Sequence, residues 1–543
     1  MDTNVLYYGD NLDILRHYIP DESIDLIYLD PPFNSQATYN VLFREESGAS
    51  SHAQIEAFED TWHWGDATAQ AYDEVLRGPH QNVARMLKAM IDGLGHNQVT
   101  AYLVMMAIRL VELHRILKPT GCMYLHCDPT ASHYLKILLD ADFGPANFRN
   151  EITWKRRQGF TSAVHESNRY GNITDILLFY SKSAKARFRP QYNKDSKEYQ
   201  EYVDKFFTLV DNDGRKYQAT SLTNPAYRPN LIYEYKGYKA PANGWMITKE
   251  KMEQWDKQGR IHFPASKNGR LRRKSYADEL KGMPIQNLWD DIDQLGAGRT
   301  ERLGYPTQKP LALLERIINA SSNPGDIVLD PFCGCGTAVH AAQKLGRKWI
   351  GIDVTFLAIN LIESRMKGAF PELDIKVIGE PADLTSARDL ARRNKKQFEL
   401  WALMRLGAQP SGKKGADRGI DGLIPMIVGG SAGKPEYARA IVSVKGGEHV
   451  SAPMVRDLKG VLDREGEPIG ILLTLTKPTK DMSTEAASSG FYESALWQKK
   501  YPRIQIITIE DLLNGKRPDL PSAASPFAKA PLERERGETG RML

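Results

Sequence analysis

The sequence predicts an α/β protein built on a largely parallel sheet, with a smaller α/β unit following it. Three observations predict this. The apolar, β-prone run Ile24-Asp25-Leu26-Ile27-Tyr28-Leu29 leads into Asp30-Pro31-Pro32-Phe33. A second apolar strand, Val328-Leu329, runs through Asp330-Pro331-Phe332-Cys333-Gly334-Cys335-Gly336-Thr337 into a helical stretch, Ala338 to Leu345. Then Trp349-Ile350-Gly351-Ile352 ends on Asp353, giving strand, glycine turn, helix, strand and acid, the order that suits a nucleotide-like ligand.

Taken in order, residues 3 to 33 read as strand, turn and strand, with Tyr7-Tyr8-Gly9-Asp10-Asn11-Leu12 before a short helix. Asp10 suits either a cofactor rim or an ordinary helix N-terminal turn. Two prolines after Asp30 fix the backbone and remove its N–H donors. What remains is an edge of acceptors, the Asp30 carboxylate with the Asp30 and Pro31 carbonyls, beside the Phe33 ring. An aminopurine or aminopyrimidine fits such an edge, its NH2 donating and its face stacked on the ring. Residues 44 to 75 are polar and contain Trp62-His63-Trp64, which reads as a mobile flap over the site. Helical periodicity runs from Val99 to Ile116 and stops at Lys118-Pro119-Thr120-Gly121. The next strand, Cys122 to His126, leaves His126 either facing the site or satisfied by backbone, and the sequence favours backbone. Ile173 to Tyr180 is a further buried strand.

From 185 to 300 tyrosines are frequent and no long apolar run appears, while Arg270-Leu271-Arg272-Arg273-Lys274 is strongly basic. Such a stretch is a solvated basic surface or a nucleic-acid contact, in which cations neutralise phosphates and rings stack on bases. After Gly379-Glu380-Pro381 a new domain is expected. It opens with one amphipathic helix, Arg388 to Leu406, and continues through strands 423–428 and 440–445, a helix from Met454 to Arg464, and strands 469–475 and 504–509. Residues 516–543 read as a disordered tail.

The 543 residues suffice for about two or three domains. With 41% hydrophobic and 26% charged residues the composition is that of a globular protein, and a net charge of +5 leaves any nucleic-acid contact to local patches. No apolar run reaches the roughly 18 residues a membrane span requires, and no secretory signal opens the chain, so a cytoplasmic protein without a membrane partner is expected. Four cysteines, Cys122, Cys127, Cys333 and Cys335, make neither a disulfide framework nor a zinc knuckle. The absence of a Pro-Cys dipeptide argues against cytosine C5 methylation by a cysteine nucleophile.

Asp30-Pro31-Pro32-Phe33 together with Asp330-Pro331-Phe332-x-Gly334-x-Gly336-Thr337 resembles the amino-methylating DNA methyltransferases. The catalytic motif precedes the cofactor motif, as in the β class of that family, and Tyr305-Pro306-Thr307-Gln308-Lys309-Pro310 resembles the segment before its cofactor strand. The resemblance covers about two-thirds of the chain. It implies a Rossmann-like fold in permuted order that uses S-adenosylmethionine and acts on double-stranded DNA. Asp30, Pro31, Pro32 and Phe33 are then catalytic, and Asp10, Lys309, Asp330, Phe332, Gly334, Gly336, Thr337 and Asp353 bind the cofactor, with Asp353 on the ribose. Residues 1–184 and 301–378 would be the two halves of the methyltransferase and 185–300 its target-recognition domain. Adenine N6 is the implied acceptor, since Ser replaces the first Asp in the cytosine N4 signature.

The segment 385–515 resembles the Mrr-like branch of the restriction-endonuclease fold. Asp421 and Lys445 match its Mg2+ site by position, with Glu399 as a helical acid. Ser443 stands where a second ligand belongs, so metal-dependent cleavage is set against a DNA-binding relic. The alternatives to a DNA methyltransferase alone are a bifunctional restriction-modification enzyme and a methyltransferase of RNA or a protein amide. A homodimer is left open.

Overall fold

A computed structural model describes residues 1–32, 38–44, 50–59, 64–156, 172–295, 301, 303, 308–411, 419–431 and 434–521. Phe33 and Tyr305–Thr307 lie outside the described residues. The chain forms two compact units, 189–286 and everything else.

In the larger unit, nine described strands form one sheet: β1 (Val5–Tyr8), β2 (Ile24–Leu29), β3 (Leu117–Cys127), β4 (Phe148–Lys155), β5 (Thr174–Ser181), β6 (Leu288–Trp289), β7 (Ile327–Asp330), β8 (Lys348–Asp353) and β9 (Lys376–Ile378). Their order is β6-β4-β5-β3-β2-β7-β8-β1-β9. The run from β3 to β9 is parallel, and β5 is antiparallel to both β3 and β4. Every residue of β2 is buried, which is why its sequence is a continuous apolar run and not an alternation. The exception, Asp25, accepts hydrogen bonds from Lys118 Nζ and the Ile327 N–H, tying β2 to its neighbours.

Helix α1 (Asn11–Tyr18) follows β1, with Asp10 as its N-cap. Helix α2 (Gln98–Ile116) begins at a capping box between Asn97 and Thr100 and is buried over most of its circumference. The segment expected as a flap carries a hairpin of Thr38–Arg44 with Ser50–Glu59 and a helix, Asp66–Arg77, whose Val75 joins the main core. Trp64, half-buried, stacks on His96, while Trp62 and His63 lie outside the described residues. Helix α3 (Thr337–Lys344) leaves the glycine loop as expected, and α4 (Phe356–Ala369) follows β8.

The expected long helix of 388–406 is two, α5 (Leu384–Arg393) and α6 (Lys395–Leu406). Asn394 separates them because its extended backbone and side-chain oxygen cap the second helix at the Gln397 N–H. A mixed sheet follows, β10 (Gln409–Pro410), β11 (Gly422–Ser431), β12 (Lys434–Lys445), β13 (Ile469–Thr474) and β14 (Ile504–Thr508), paired in that order. Helices α7 (Ala452–Glu465) and α8 (Lys480–Ser488) cross between its parallel strands.

An independent domain beginning after 381 is not what forms. Phe398, Trp401 and Leu403 of α6 share one buried core with Phe356, Leu357 and Leu361 of α4 and with Ile424, Val442 and Ile471 of the second sheet. Of the expected tail, residues 516–521 are described: the Asp519 N–H donates to Gln505 and its carbonyl accepts from Gln505, holding that segment on β14. Residues 522–543 lie outside the described residues.

The smaller unit, 189–286, lies within the expected 185–300. It has a four-stranded antiparallel sheet and a core of its own around Trp245, Tyr235, Tyr238, Met252 and Leu271.

Candidate active site

Four parallel strands, β1, β2, β7 and β8, end side by side, and each delivers a carboxylate just beyond or at its C-terminal end: Asp10, Asp30, Asp330 and Asp353. Ligands bind open α/β sheets at this edge. The four acids line one cleft of about 320 Å³, together with Gly9, Asn11, Tyr28, Pro31, Pro32, Arg109, Lys309, Phe332, Gly334 and Thr337.

The loop between β7 and α3 wraps closely around this cleft. Gly334 and Gly336 have φ of +49° and +73°, a region costly for other residues, and a Cβ at Gly336 would lie 2.8 Å from Ile362 Cγ1. Beneath the loop the buried Arg365 donates to the Cys335 carbonyl, the Thr337 hydroxyl and His340 Nδ1. Asp330 Oδ1 accepts from the Phe332 N–H; burial, with Asp30 and Asp353 nearby, pushes this carboxyl well above the usual range.

Asp353 ties the loop to β8. Its Oδ2 accepts from the Gly334 N–H at 2.9 Å, and its Oδ1 accepts from both the N–H and the hydroxyl of Thr355 at 2.8 Å. Oδ1 is thereby saturated, and Oδ2 keeps one lone pair for a ligand. Burial pushes this carboxyl up to about 6, against the pull of the Thr355 and Gly334 hydrogen bonds.

Asp10 is both helix cap and cleft residue. It accepts from the Leu12 N–H and from Arg109 Nη2 at 2.9 and 3.0 Å. Arg109 Nε donates to Asn11, and Asn11 Nδ2 donates to the Pro331 carbonyl, so one network joins β1, α2 and the β7 loop. Arg109 and Asn11 escaped the sequence reading. The available signal was a lone arginine inside the apolar run of α2, since a charge there needs a buried partner.

Lys309, expected among the cofactor residues, ion-pairs with the Asp30 carboxylate at the heart of the cleft. The structure therefore sets it against Asp30 in the cleft that the glycine loop also lines. His126 is also corrected: it is fully buried and held by side chains, with Nδ1 3.0 Å from the Tyr28 hydroxyl and Nε2 3.2 Å from Asp175. All four cysteines are buried and reduced.

In the C-terminal sheet Asp421 lies beside Ser443, as the pairing of β11 with β12 requires. One of its oxygens, Oδ2, accepts from the Ser443 hydroxyl at 3.1 Å and from the Val444 N–H at 2.6 Å. Lys445 lies two residues beyond Ser443 on β12, whereas Glu399 is paired with Lys396 on its own helix. Among the described residues no group of three His, Cys, Asp or Glu side chains could hold a metal ion.

In the smaller unit two members of the basic cluster are committed internally. Lys274 donates to Asp211, and the Arg273 guanidinium lies 4.7 Å from the Trp255 ring centre. Arg270 and Arg272 are exposed.

Asp30 and its two prolines thus share one cleft with the glycine loop at the carboxyl edge of a parallel sheet. The DNA methylase family model for N6/N4 methyltransferases matches residues 24–363, more than half of the chain. The chain is 35% identical over 366 residues to the type II methyltransferase M.EcaI of Enterobacter cloacae, an alignment covering 67% of this chain and 69% of that protein. It is 27% identical over 359 residues to the StyLTI Mod subunit of a type III restriction-modification enzyme of Salmonella typhimurium, covering 64% of this chain and half of that subunit. It is 26% identical over 353 residues to the DNA adenine methyltransferase YhdJ of Escherichia coli, covering 65% of this chain and 79% of that one. The chain belongs to the N6/N4 DNA methylase family and is a site-specific DNA methyltransferase.

Proposed function

We propose that the chain transfers a methyl group from S-adenosylmethionine to adenine N6 in double-stranded DNA. The observation that carries the reading is the placement of Asp30 and its two following prolines in the same cleft as the Gly334–Gly336 loop and Asp353. The cleft fits the cofactor on chemical grounds. Even with the buried Asp330 carboxyl pushed toward its neutral form, three further acids, Asp10, Asp30 and Asp353, stand against two cations, Arg109 and Lys309, a balance that favours a sulfonium. Its size lies within the range of small-molecule sites, about 300–1,000 Å³.

Asp353 Oδ2 would take a ribose hydroxyl, while the Gly334 and Gly336 backbone lets the amino-acid end approach closely. The cofactor, when bound, supplies an electrophilic methyl group. A base inside a duplex is out of reach, so the target must be flipped into the cleft. Asp30 and the carbonyl of Asp30 or Pro31 would accept the two amine hydrogens, aiming the nitrogen lone pair along the line of attack. Phe33 is assigned to stack on the base. Catalysis is then orientation and electrostatics, with no covalent enzyme intermediate. Lys309, ion-paired with Asp30, orients its carboxylate until the amine arrives.

Adenine is favoured because the motif starts with Asp and a curated relative is named as an adenine methyltransferase. The unit 189–286 is assigned to target recognition, with the exposed Arg270 and Arg272 available for phosphates. For the C-terminal sheet we favour a restriction-endonuclease-like module that does not cut. The specific observation is that Asp421 Oδ2 is already taken up by Ser443 and Val444. Unmethylated DNA incubated with tritiated cofactor, then digested and chromatographed, tests the main reading. Label in N6-methyladenine is expected; label in N4-methylcytosine would correct the base, and no label in DNA would overturn the assignment. Supercoiled plasmid with Mg2+ should remain intact, and nicking lost in Lys445→Ala would restore the nuclease.

A further inference from the structure

Methylation of an amine leaves one proton too many on the nitrogen, and something must remove it. Asp30, which the proposed function sets against that nitrogen, is held in an ion pair with Lys309. A second acceptor lies in the same cleft. Tyr28 is the penultimate residue of β2 and Asp30 directly follows that strand, and both line the cleft.

Behind Tyr28 runs a buried chain of polar groups. The Tyr28 hydroxyl is 3.0 Å from His126 Nδ1, and His126 Nε2 is 3.2 Å from Asp175 Oδ2. Asp175 also pairs with Arg156 at 3.3 Å. Burial works to raise the Asp175 carboxyl, but His126, Lys309 and Arg156 together hold it below the ordinary range. A hydrogen on His126 Nε2 faces the Asp175 carboxylate, which leaves Nδ1 to accept the Tyr28 O–H. Burial, with Asp30, Asp330 and Asp175 nearby, pushes the phenol well above 10, so it stays protonated between turnovers. Its hydrogen is thus spent on His126 while its oxygen keeps lone pairs.

We propose that Tyr28, His126 and Asp175 form the proton exit of methyl transfer. As the N–CH3 bond forms and the sulfonium C–S bond breaks, the N–H that had donated to the backbone carbonyl, a group too weakly basic to keep a proton, breaks and its proton passes to Tyr28 Oη. The Tyr28 O–H proton moves in the same event to His126 Nδ1. The result is a methylated neutral amine, a neutral Tyr28 and an imidazolium facing Asp175. The titratable and charged groups acting on this chain are Asp175 on β5, Asp30 after β2, Arg156 after β4, Lys309, and Asp330, whose carboxyl burial pushes toward the neutral form. The imidazolium returns its proton to solvent after product leaves. Tyr28 is the catalytic residue here, and His126 and Asp175 position and receive.

The inference rests on amine methylation at this cleft, so wild type is measured alongside each variant. Single-turnover transfer from tritiated cofactor is followed from pH 6 to 9 for wild type, Tyr28→Phe and His126→Gln, with cofactor affinity measured by calorimetry. Expected is a rate loss of about 100-fold at pH 7 with cofactor affinity within about twofold. The variants' rates should climb with pH as hydroxide takes the proton, while wild type levels off. A Tyr28→Phe rate within twofold of wild type overturns the relay. A loss matched by weaker cofactor binding, or with an unaltered pH profile, also overturns it and leaves a packing role. If Tyr28→Phe does not fold, His126→Gln decides by the same criteria. No transfer by wild type would refute the methylation reading itself.

Discussion

Cofactor binding should weaken in mild acid, and Asp353 should be the cause. Its carboxyl titrates at about 6 because burial opposes the charge more than its hydrogen bonds to Thr355 and Gly334 favour it. The sign follows from geometry. The ionised form accepts from the Gly334 N–H and has one lone pair left for a ribose hydroxyl, whereas a proton on Oδ2 removes one or both. A carboxyl of this pKa is ionised in about nine-tenths of molecules at pH 7 and about one-tenth at pH 5. The apparent dissociation constant scales inversely with the competent fraction, so it should rise about tenfold from pH 7 to pH 5. Equilibrium dialysis with labelled cofactor at constant ionic strength would measure this. Asp353→Asn should bind weakly at both values with little dependence on pH. A wild-type affinity flat across the range, or an Asn variant that tracks wild type, would refute the assignment; tracking would move the titration to another acid, Asp330 first.

Asp30→Ala should abolish transfer while leaving cofactor affinity nearly intact, since the Asp353–Gly334 contact assigned to the cofactor does not involve Asp30; lost cofactor binding in dialysis would take Asp30 out of the catalytic role. Arg109→Ala leaves buried Asn11 without its donor and Asp10 without its cation, and should cost about 2 kcal/mol or more, read as a lower melting temperature together with weaker cofactor binding. A chain ending at residue 383 should bind cofactor poorly or aggregate, because it strips Phe398, Trp401 and Leu403 from the α4 core; full methylation by that fragment would show that the second sheet is a separable module. Asp421→Ala should lower stability by about 1–3 kcal/mol by leaving the Val444 N–H unpaired, visible in chemical denaturation without any change in methyl transfer.

The edge of the cleft was legible in the sequence because each strand there announces itself twice, by an apolar run and by the acid that ends it. Asp30, Asp330 and Asp353 are therefore found where the motifs put them, and the αL glycines 334 and 336 are where a tight loop demands them. What the sequence hid are contacts between distant segments. Lys309 reaches Asp30 across 279 positions, Asn11 reaches Pro331 across 320, and no local periodicity encodes either. His126 looked like a strand-end residue because its partners lie on β2 and β5, neighbours only once the sheet is assembled. The shared core of α4 and α6 was obscured by Gly379 and Pro381, which read as a linker. In the structure Gly379 has φ of +97° and packs so close to the Tyr8 carbonyl that a Cβ would clash with it.

That shared core makes the cofactor a stabiliser of the far end of the chain. Phe356 and Leu357 open the helix that follows Asp353 and Thr355, and they are buried against the same Trp401 on which the second sheet rests. A ligand that binds only the folded state adds about 2.7 kcal/mol when present at a hundred times its dissociation constant. Where two sheets unfold together, both receive that increment. Proteolysis within 434–521, far from the cleft in sequence, should therefore slow when the cofactor is present, and the methyl donor would govern how long the whole chain survives.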